Sequence, residues 1–199
     1  MSLVFKEAPN FKAKAVLANN EIVEFELHKN LGAKGAVLFF WPMDFTFVCP
    51  SEIIAFDKRV KEFEDRGFKV IGVSIDSEHV HWAWKNTAVN NGGIGQVRFP
   101  IVADTDHAIT KAYDVEHPAA VAFRATFVID AKDKKIRHAT INDLPIGRNV
   151  DETLRIVDAI LFTNEHGEVC PAGWHKGDEG MKADHKGVAD YLAKNQTKL

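Results

Sequence analysis

The sequence predicts an α/β sandwich with a mixed central sheet flanked by helices, followed by a C-terminal arm. The first indication is a wholly apolar run at residues 36–41, which suits a strand covered on both faces. The second is a helical pattern after Cys49, where apolar residues recur at spacings of three and four over residues 53–63. The third is the alternation of strand and helix patterns along the chain, with a pair of strands late in the sequence.

Local signals place the individual elements. Polar residues form a turn between two strands near the N terminus, and Pro42 ends the apolar strand. Pro50 favours a first helical turn and Gly67 favours the position after a last one, so the central helix lies between them. Acidic residues in its first turn support the prediction of a helix at residues 151–162. In chain order, the predicted elements are strands 11–16, 22–27 and 36–41, a helix from Cys49 to Gly67, strand 69–76, helices 77–86 and 104–113, strands 125–130 and 136–141, and helices 151–162 and 185–194.

The composition is that of one globular domain with a terminal extension. Of the 199 residues, 46% are hydrophobic and 27% are charged, which is enough to enclose a substantial core. The formal net charge is −3 and the basic residues are scattered, which argues against a nucleic-acid-binding protein. We predict one domain at residues 1–163 and an arm at residues 164–199, where the chain turns polar and glycine-rich.

Neither membrane insertion nor export is expected from the sequence. The longest apolar runs are far too short to span a bilayer. The N terminus has no basic region followed by an apolar block, so no secretory signal is visible. Two cysteines without export indicate reduced thiols at rest and a disulfide that is transient and catalytic. The expected compartment is therefore the cytoplasm.

The two cysteines predict redox chemistry. Cys49 and Cys170 lie far apart in the sequence, so they form neither a CxxC pair nor a compact zinc site. Cys49 stands where an apolar strand gives way to a helix, and helix N termini favour the thiolate, which is the nucleophilic form. We expect backbone N–H groups of that helix to point at the sulfur. These features predict a cysteine redox enzyme.

The residues around Cys49 suit a small electrophile. Thr46 can turn its hydroxyl toward the sulfur, and Arg124 lies in an apolar stretch where an unpaired charge would be costly, so Glu52 is its candidate partner. With a peroxide, the thiolate would attack one oxygen while Thr46 and Arg124 stabilise charge on the other. The sulfenic acid product condenses readily with a second thiol. The side chains expected to keep the site dry and narrow are Pro42, Phe45, Phe47 and Val48.

Two motifs carry a resemblance to a known family. The pattern Pro42-x-x-x-Thr46-x-x-Cys49 resembles the active-site motif of the peroxiredoxins. The pattern Val169-Cys170-Pro171 resembles the resolving-cysteine motif of their typical two-cysteine branch, which includes the bacterial alkyl hydroperoxide reductase C proteins. Further similar segments, in the same order, cover nearly the whole chain at residues 76–77, 83–87, 92–95, 142–148 and 166–174.

The resemblance implies a function for each matching position. It implies that Cys49 is the peroxidatic cysteine, which attacks peroxide, and that Cys170 is the resolving cysteine. The other matching positions surround the sulfur in the family: Thr46 and Arg124 activate the peroxide, Pro42 shields the sulfur, and Glu52 and Arg148 orient Arg124.

The resemblance also implies an assembly and a set of partners. It implies a thioredoxin-like fold without its CxxC, and a homodimer in which Cys49 of one chain joins Cys170 of the other. Five such dimers would form a decameric ring. The substrates would be hydrogen peroxide and small organic hydroperoxides, reduced without a metal, haem or flavin cofactor. The electron donor would be thioredoxin or a flavoprotein disulfide reductase.

Other interpretations of these residues stay open at the level of sequence. Arg124 could be a structural ion-pair partner, and Glu52 with Arg148 could be an ordinary charge pair. A redox-linked holdase chaperone is a possible second activity, whereas the missing CxxC disfavours a disulfide isomerase. The nine histidines have no metal-binding spacing such as HExxH, and we interpret them as scattered surface residues.

Overall fold

A mixed seven-stranded sheet organises the first of two units. The computed structural model describes residues 2–197 and divides into a unit at Met1–Val150 and a unit at Asp151–Leu199. In chain order, the elements are β1 (Lys12–Val16), β2 (Ile22–Glu26), β3 (Gly35–Phe40), α1 (Cys49–Asp65), β4 (Phe68–Ser74), α2 (Glu78–Lys85), β5 (Ile101–Ala103), α3 (Ala108–Ala112), β6 (Glu116–His117), β7 (Val121–Ala122), β8 (Arg124–Asp130), β9 (Ile136–Asn142), α4 (Val150–His166) and α5 (His185–Asn195).

The strand order confirms the predicted mixed sheet. It is β2-β1-β5-β4-β3-β8-β9, while β6 and β7 form a separate small hairpin. The pairs β3–β4 and β4–β5 are parallel, and the other pairs of the large sheet are antiparallel. The central parallel strands carry the helix α1 between them, as a crossover connection requires. This arrangement places the end of β3 and the start of α1 at the same edge of the sheet.

The apolar run at residues 36–41 is buried on both of its faces, as predicted. On one face Phe39 stacks on Phe56 of α1, with ring centroids 4.2 Å apart. On the other face Phe40 packs against Tyr113 and Phe127 at 5.4 and 5.9 Å. Aromatic pairs at these separations add to the hydrophobic stabilisation of a core. The strand that leads to Cys49 is therefore held firmly between two layers.

The helix predicted at 104–113 is wrong in its first half, since the structure begins it at Ala108. The Asp104 carboxylate accepts hydrogen bonds from the backbone N–H groups of Ile109 and Thr110, at 2.9 and 2.7 Å. His107 takes a left-handed conformation with φ of 59°, which a continuous helix does not allow. The preceding residues form the short strand β5, whose three residues are too few to give a periodic signal.

The second unit contains α4, a loop and α5. The helix α4 continues to His166, four residues beyond its predicted end. Past it, Val169 and Met181 pair as an isolated antiparallel bridge, and the Phe162 and Trp174 rings lie 4.9 Å apart. The predicted division at residues 163 and 164 stays a prediction. Among the residues that the structure describes, no helix has the length and apolar character needed to cross a membrane.

A buried lysine ties α2 to the turn between β1 and β2. Lys85 has no exposed surface, and its Nζ donates hydrogen bonds to the carbonyl oxygens of Leu17 and Ala18. Burial lowers the pKa of Lys85 to about 8, because the charged ammonium loses its hydration. The folded protein therefore releases this proton more readily than the unfolded chain does.

Lys85→Met should remove part of the pH dependence of stability. Between the folded-state pKa of about 8 and the ordinary value of 10.5, the unfolded chain binds more protons, so stability rises with pH. Below that window both states are charged and Lys85 adds no slope. The free energy of unfolding should rise by at most roughly 3 kcal/mol across this window. Urea unfolding across this pH range measures it, and equal slopes for the Lys85→Met variant and the parent would contradict the assignment. Lys58→Met, at an exposed position of α1, is the control and should keep the rise.

Candidate active site

Cys49 is the first residue of α1, and its side chain is completely buried. Its sulfur lies 3.0 Å from Thr46 Oγ1 and 3.1 Å from Arg124 Nη1. The backbone N–H groups of Ser51 and Glu52 donate to the Val48 carbonyl instead of pointing at the sulfur. The hydrogen-bonding partners recorded for the sulfur are thus two side chains, which corrects the expectation that the helix backbone supplies them.

Arg124 is fixed on three sides. Its Nε donates to the Leu144 carbonyl at 2.6 Å, and its Nη1 donates to Glu52 Oε2 at 2.7 Å. The same Nη1 contacts the Cys49 sulfur. Because the first two contacts hold the plane of the guanidinium, its orientation toward the sulfur is set by the protein.

Glu52 joins Arg124 to a second buried arginine. Its Oε1 accepts from the backbone N and the Nε of Arg148 at 3.0 and 2.9 Å, and its Oε2 accepts from Arg148 Nη2 at 3.0 Å. Arg148 Nη1 also donates to the carbonyls of Phe40 and Ala125. Burial lowers the pKa of Arg148, while the charge of Glu52 acts in the opposite direction. Both carboxylate oxygens of Glu52 and all three guanidinium nitrogens of Arg148 therefore have partners, as buried charges require.

The charged side chains beside the Cys49 sulfur carry a net positive charge. Two guanidiniums face one carboxylate, so Arg124, Arg148 and Glu52 together leave one positive charge. Their side chains are at most 5% exposed, so water screens this charge poorly. A thiolate at Cys49 brings the four groups to neutrality. The site is thus suited to a nucleophilic sulfur.

Two of the aromatic side chains expected to cover the site, on the loop before α1, are exposed. Pro42 is buried, but Phe45 is 52% exposed and Phe47 is 98% exposed. Phe45 has a positive φ of 53°, and its ring turns to Trp84 at 5.6 Å. The prediction that Phe45 and Phe47 keep the site dry is therefore wrong for the single chain. Thr46 does not cap α1, because its hydroxyl contacts the Met43 carbonyl at 2.8 Å and the sulfur.

A buried polar network supports the loop between β3 and α1, and the sequence analysis did not predict this network. Asp44 accepts from Trp41 Nε1 at 2.9 Å and contacts His81 Nδ1 at 2.7 Å, while its backbone N donates to Asp76 at 2.8 Å. His81 is fully buried, and its Nε2 lies 3.2 Å from the Val102 carbonyl. His81 is thus not a surface residue, because a distant carboxylate supplies the partner that makes its burial tolerable.

Cys170 lies in the second unit on the turn that follows α4. Its side chain is partly exposed, and its sulfur lies 3.7 Å from the carbonyl oxygen of Ala159. Burial raises the pKa of the Cys170 thiol, and the nearby positive charge of Arg155 works against that increase. Both cysteines are free thiols in this structure.

Comparisons with known proteins agree with this geometry. The AhpC/TSA family matches residues 4–139, and the C-terminal domain of 1-Cys peroxiredoxin matches residues 159–194. Alkyl hydroperoxide reductase C of Helicobacter pylori (strain ATCC 700392 / 26695) is 68% identical over 198 residues, covering 99% of this chain and 100% of that protein. A thioredoxin peroxidase of Trypanosoma brucei rhodesiense is 49% identical, covering 94% of this chain and 93% of that protein.

A solved structure shares the whole fold. The reduced 2-Cys peroxiredoxin of Plasmodium vivax has a TM-score of 0.94 and 45% identity, covering 97% of this chain and 100% of that chain. Its likeness confirms the predicted thioredoxin-like fold with a mixed central sheet flanked by helices. With a family match over most of its length and relatives of high identity, the chain belongs to the AhpC/TSA family and is a peroxiredoxin, a thiol-dependent peroxidase.

Proposed function

We propose that the chain reduces hydrogen peroxide and small organic hydroperoxides at Cys49. The observation that carries the proposal is a completely buried sulfur within 3.1 Å of both a hydroxyl and a guanidinium. Such a sulfur admits only a small substrate unless the surrounding residues move. The arginine and threonine donors then lie where the two peroxide oxygens would approach.

The first step converts peroxide to water or an alcohol. The Cys49 thiolate attacks one oxygen, so that an S–O bond forms while the O–O bond breaks. The departing oxygen keeps the electron pair of that bond and takes up a proton. Arg124 donates N–H to the oxygen that gains charge, and Thr46 supplies an O–H donor and acceptor on the other side. Cys49 is left as a sulfenic acid.

The second step consumes the sulfenic acid with another thiol. Cys170 of a partner chain attacks the Cys49 sulfur, forming an intersubunit disulfide and releasing the oxygen as water. An external dithiol then reduces the disulfide, and we propose thioredoxin or a flavoprotein disulfide reductase for this role. Because such reductants keep cytosolic thiols reduced, we propose that the enzyme acts in the cytoplasm.

Two exposed apolar surfaces support assembly of several chains. Within residues 2–197, the strand β9 has a strand neighbour on one side only, and Ile141 on this strand is 51% exposed. Free edges pair readily with a second chain, which supports a homodimer. Phe45, Trp82 and Val89 are 52%, 45% and 57% exposed, and they supply apolar surface for a second contact. We propose that this second contact joins five dimers into a decamer.

One stoichiometric dose of hydrogen peroxide on the reduced protein tests the mechanism. The parent should form a disulfide-linked dimer that a reductant converts back to monomers on the gel, because each disulfide joins two chains. Cys49→Ser should form none, and Cys170→Ser should retain one added oxygen on Cys49. Non-reducing gels and intact mass measure these products. Equal and slow loss of thiols in all three proteins would rule out an activated Cys49.

Glu52→Gln should impair both stability and peroxide reduction. Removing the carboxylate leaves two buried guanidiniums without a counter-charge, and we expect a loss of about 3 kcal/mol in the free energy of unfolding. Because Arg124 loses one of its two anchors, the rate constant for Cys49 oxidation should fall by roughly tenfold or more. Urea unfolding and stopped-flow oxidation of the folded variant measure the two effects.

The control for this prediction is Glu62→Gln, at an exposed position of the same helix that pairs with Arg59 at 3.4 Å. Exposed pairs contribute little, so both quantities should stay within error of the parent. An oxidation rate that is unchanged in Glu52→Gln would show that Arg124 does not depend on this carboxylate.

A holdase activity is the second candidate function, and the exposed aromatic surface favours it. Phe47 is 98% exposed, and exposed apolar side chains can bind the apolar segments of unfolded chains. We expect the protein to suppress thermal aggregation of a client enzyme, with the activity retained in Cys49→Ser and reduced in Phe47→Ser. Light scattering measures the aggregation. Equal scattering with and without the protein would exclude this function.

A further inference from the structure

Arg155 occupies a fixed position on α4, although the peroxide reaction described above does not use it. Its Nε and Nη2 donate to the two carboxylate oxygens of Glu152, both at 2.7 Å. Its Nη1 donates to the Trp174 carbonyl at 2.9 Å. A guanidinium held by a bidentate pair and a third hydrogen bond keeps a single orientation. The structure therefore places a permanent cation against the turn that carries Trp174.

Cys170 immediately precedes this turn. The turn is closed by a hydrogen bond from the Trp174 backbone N to the Pro171 carbonyl at 3.2 Å. The Cys170 sulfur lies 3.7 Å from the carbonyl of Ala159, which is one helical turn after Arg155 on α4. Residues four apart lie on one face of a helix. The thiol thus lies against α4 one turn beyond Arg155, and the Arg155 guanidinium binds the turn that follows Cys170.

The electrostatics of Cys170 reflect this placement. Burial raises the pKa of the thiol, and the charge of Arg155 opposes it. The Cys170 charge in turn contributes to raising the pKa of Arg155, behind the larger effect of the Glu152 hydrogen bonds. The elements that carry this pair also hold other ionisable groups. On α4 they are Asp151, Glu152, Asp158, Glu165 and His166, and along the following loop they are Glu168, His175, Lys176, Asp178, Glu179, Lys182 and Asp184.

We propose that Arg155 is a positioning residue for the resolving step, holding the Cys170 turn and stabilising the Cys170 thiolate. In that step the thiolate attacks the sulfenic sulfur of Cys49, an S–S bond forms and the S–O bond breaks. The oxygen leaves with the electron pair and becomes water on protonation. The attacking group must be deprotonated, so a cation that favours the thiolate raises the fraction of reactive enzyme. This inference rests on the proposed function of Cys170.

The titration of Cys170 tests the inference without any peroxide. The full chain contains two cysteines, so in Cys49→Ser the rate of iodoacetamide alkylation reports on Cys170 alone. Adding Arg155→Gln should move the alkylation profile to higher pH and lower the rate at neutral pH by about three- to tenfold. Arg155→Lys keeps the charge and should retain most of the rate. Arg59→Gln removes an arginine from an exposed pair with Glu62 and should change nothing.

Two results would overturn the inference. One is an Arg155→Gln profile that coincides with its parent. The other is an Arg155→Lys profile displaced as far as that of Arg155→Gln, which would make the effect one of local structure and not of charge. Circular dichroism and the fluorescence of the folded variants verify that each comparison is made between folded proteins.

The rate of disulfide formation in the otherwise unmodified enzyme separates this inference from the proposed function. After a peroxide pulse, Arg155→Gln should form the Cys49 sulfenic acid at the parent rate and the disulfide more slowly at neutral pH, with the difference shrinking as pH rises. Equal disulfide rates at every pH would overturn the inference. If the parent forms no disulfide while the alkylation shift is present, the proposed function fails and the charge effect on Cys170 stands.

Discussion

The carboxylate of Glu52, buried between two arginines, is the interaction on which the rest of the site depends. It receives hydrogen bonds from Arg124 at the start of β8 and from Arg148 on the loop before α4, while its own backbone belongs to α1. One side chain thus connects three segments that are distant in the sequence. A buried charge of this kind is stable only because each partner is also satisfied elsewhere, through backbone carbonyls of Phe40, Ala125 and Leu144.

This connection gives the site its preorganised character. The donors around the sulfur come from rigid elements whose positions are set by the sheet, since β3 and β8 are paired along their length. The Thr46 side of the site is held differently, through the buried contacts of Asp44 with Trp41, His81 and Asp76. Donors that are already oriented need no rearrangement when charge develops on a departing oxygen. The two groups that contact the sulfur, Arg124 and Thr46, are therefore held in place by separate sets of contacts.

Local patterns in the sequence predict the parts of this arrangement that depend on neighbouring residues. The buried strand β3 and the start of α1 follow from an apolar run and a proline, and the resemblance to the peroxiredoxins indicated which polar residues share the sulfur. The failures come from a long-range contact and from local structure that gives no periodic signal. His81 is buried because Asp44, 37 positions away, is its hydrogen-bonding partner, and no local pattern shows that pairing. The Asp104 carboxylate replaces the first turn predicted for α3, and β5 is too short to give a period.

The anchoring of Glu52 also limits how far the Cys49 sulfur can move. Cys49 precedes Glu52 by three residues in the first turn of α1, and both contacts of Glu52 would have to break before the helix could open beyond it. Fully extended, three residues span about 10 Å. The same ion pairs that orient Arg124 thus act as a tether, and a second thiol can be reached only within the radius that this tether allows. A longer reach would require the ion pairs of Glu52 with Arg124 and Arg148 to break.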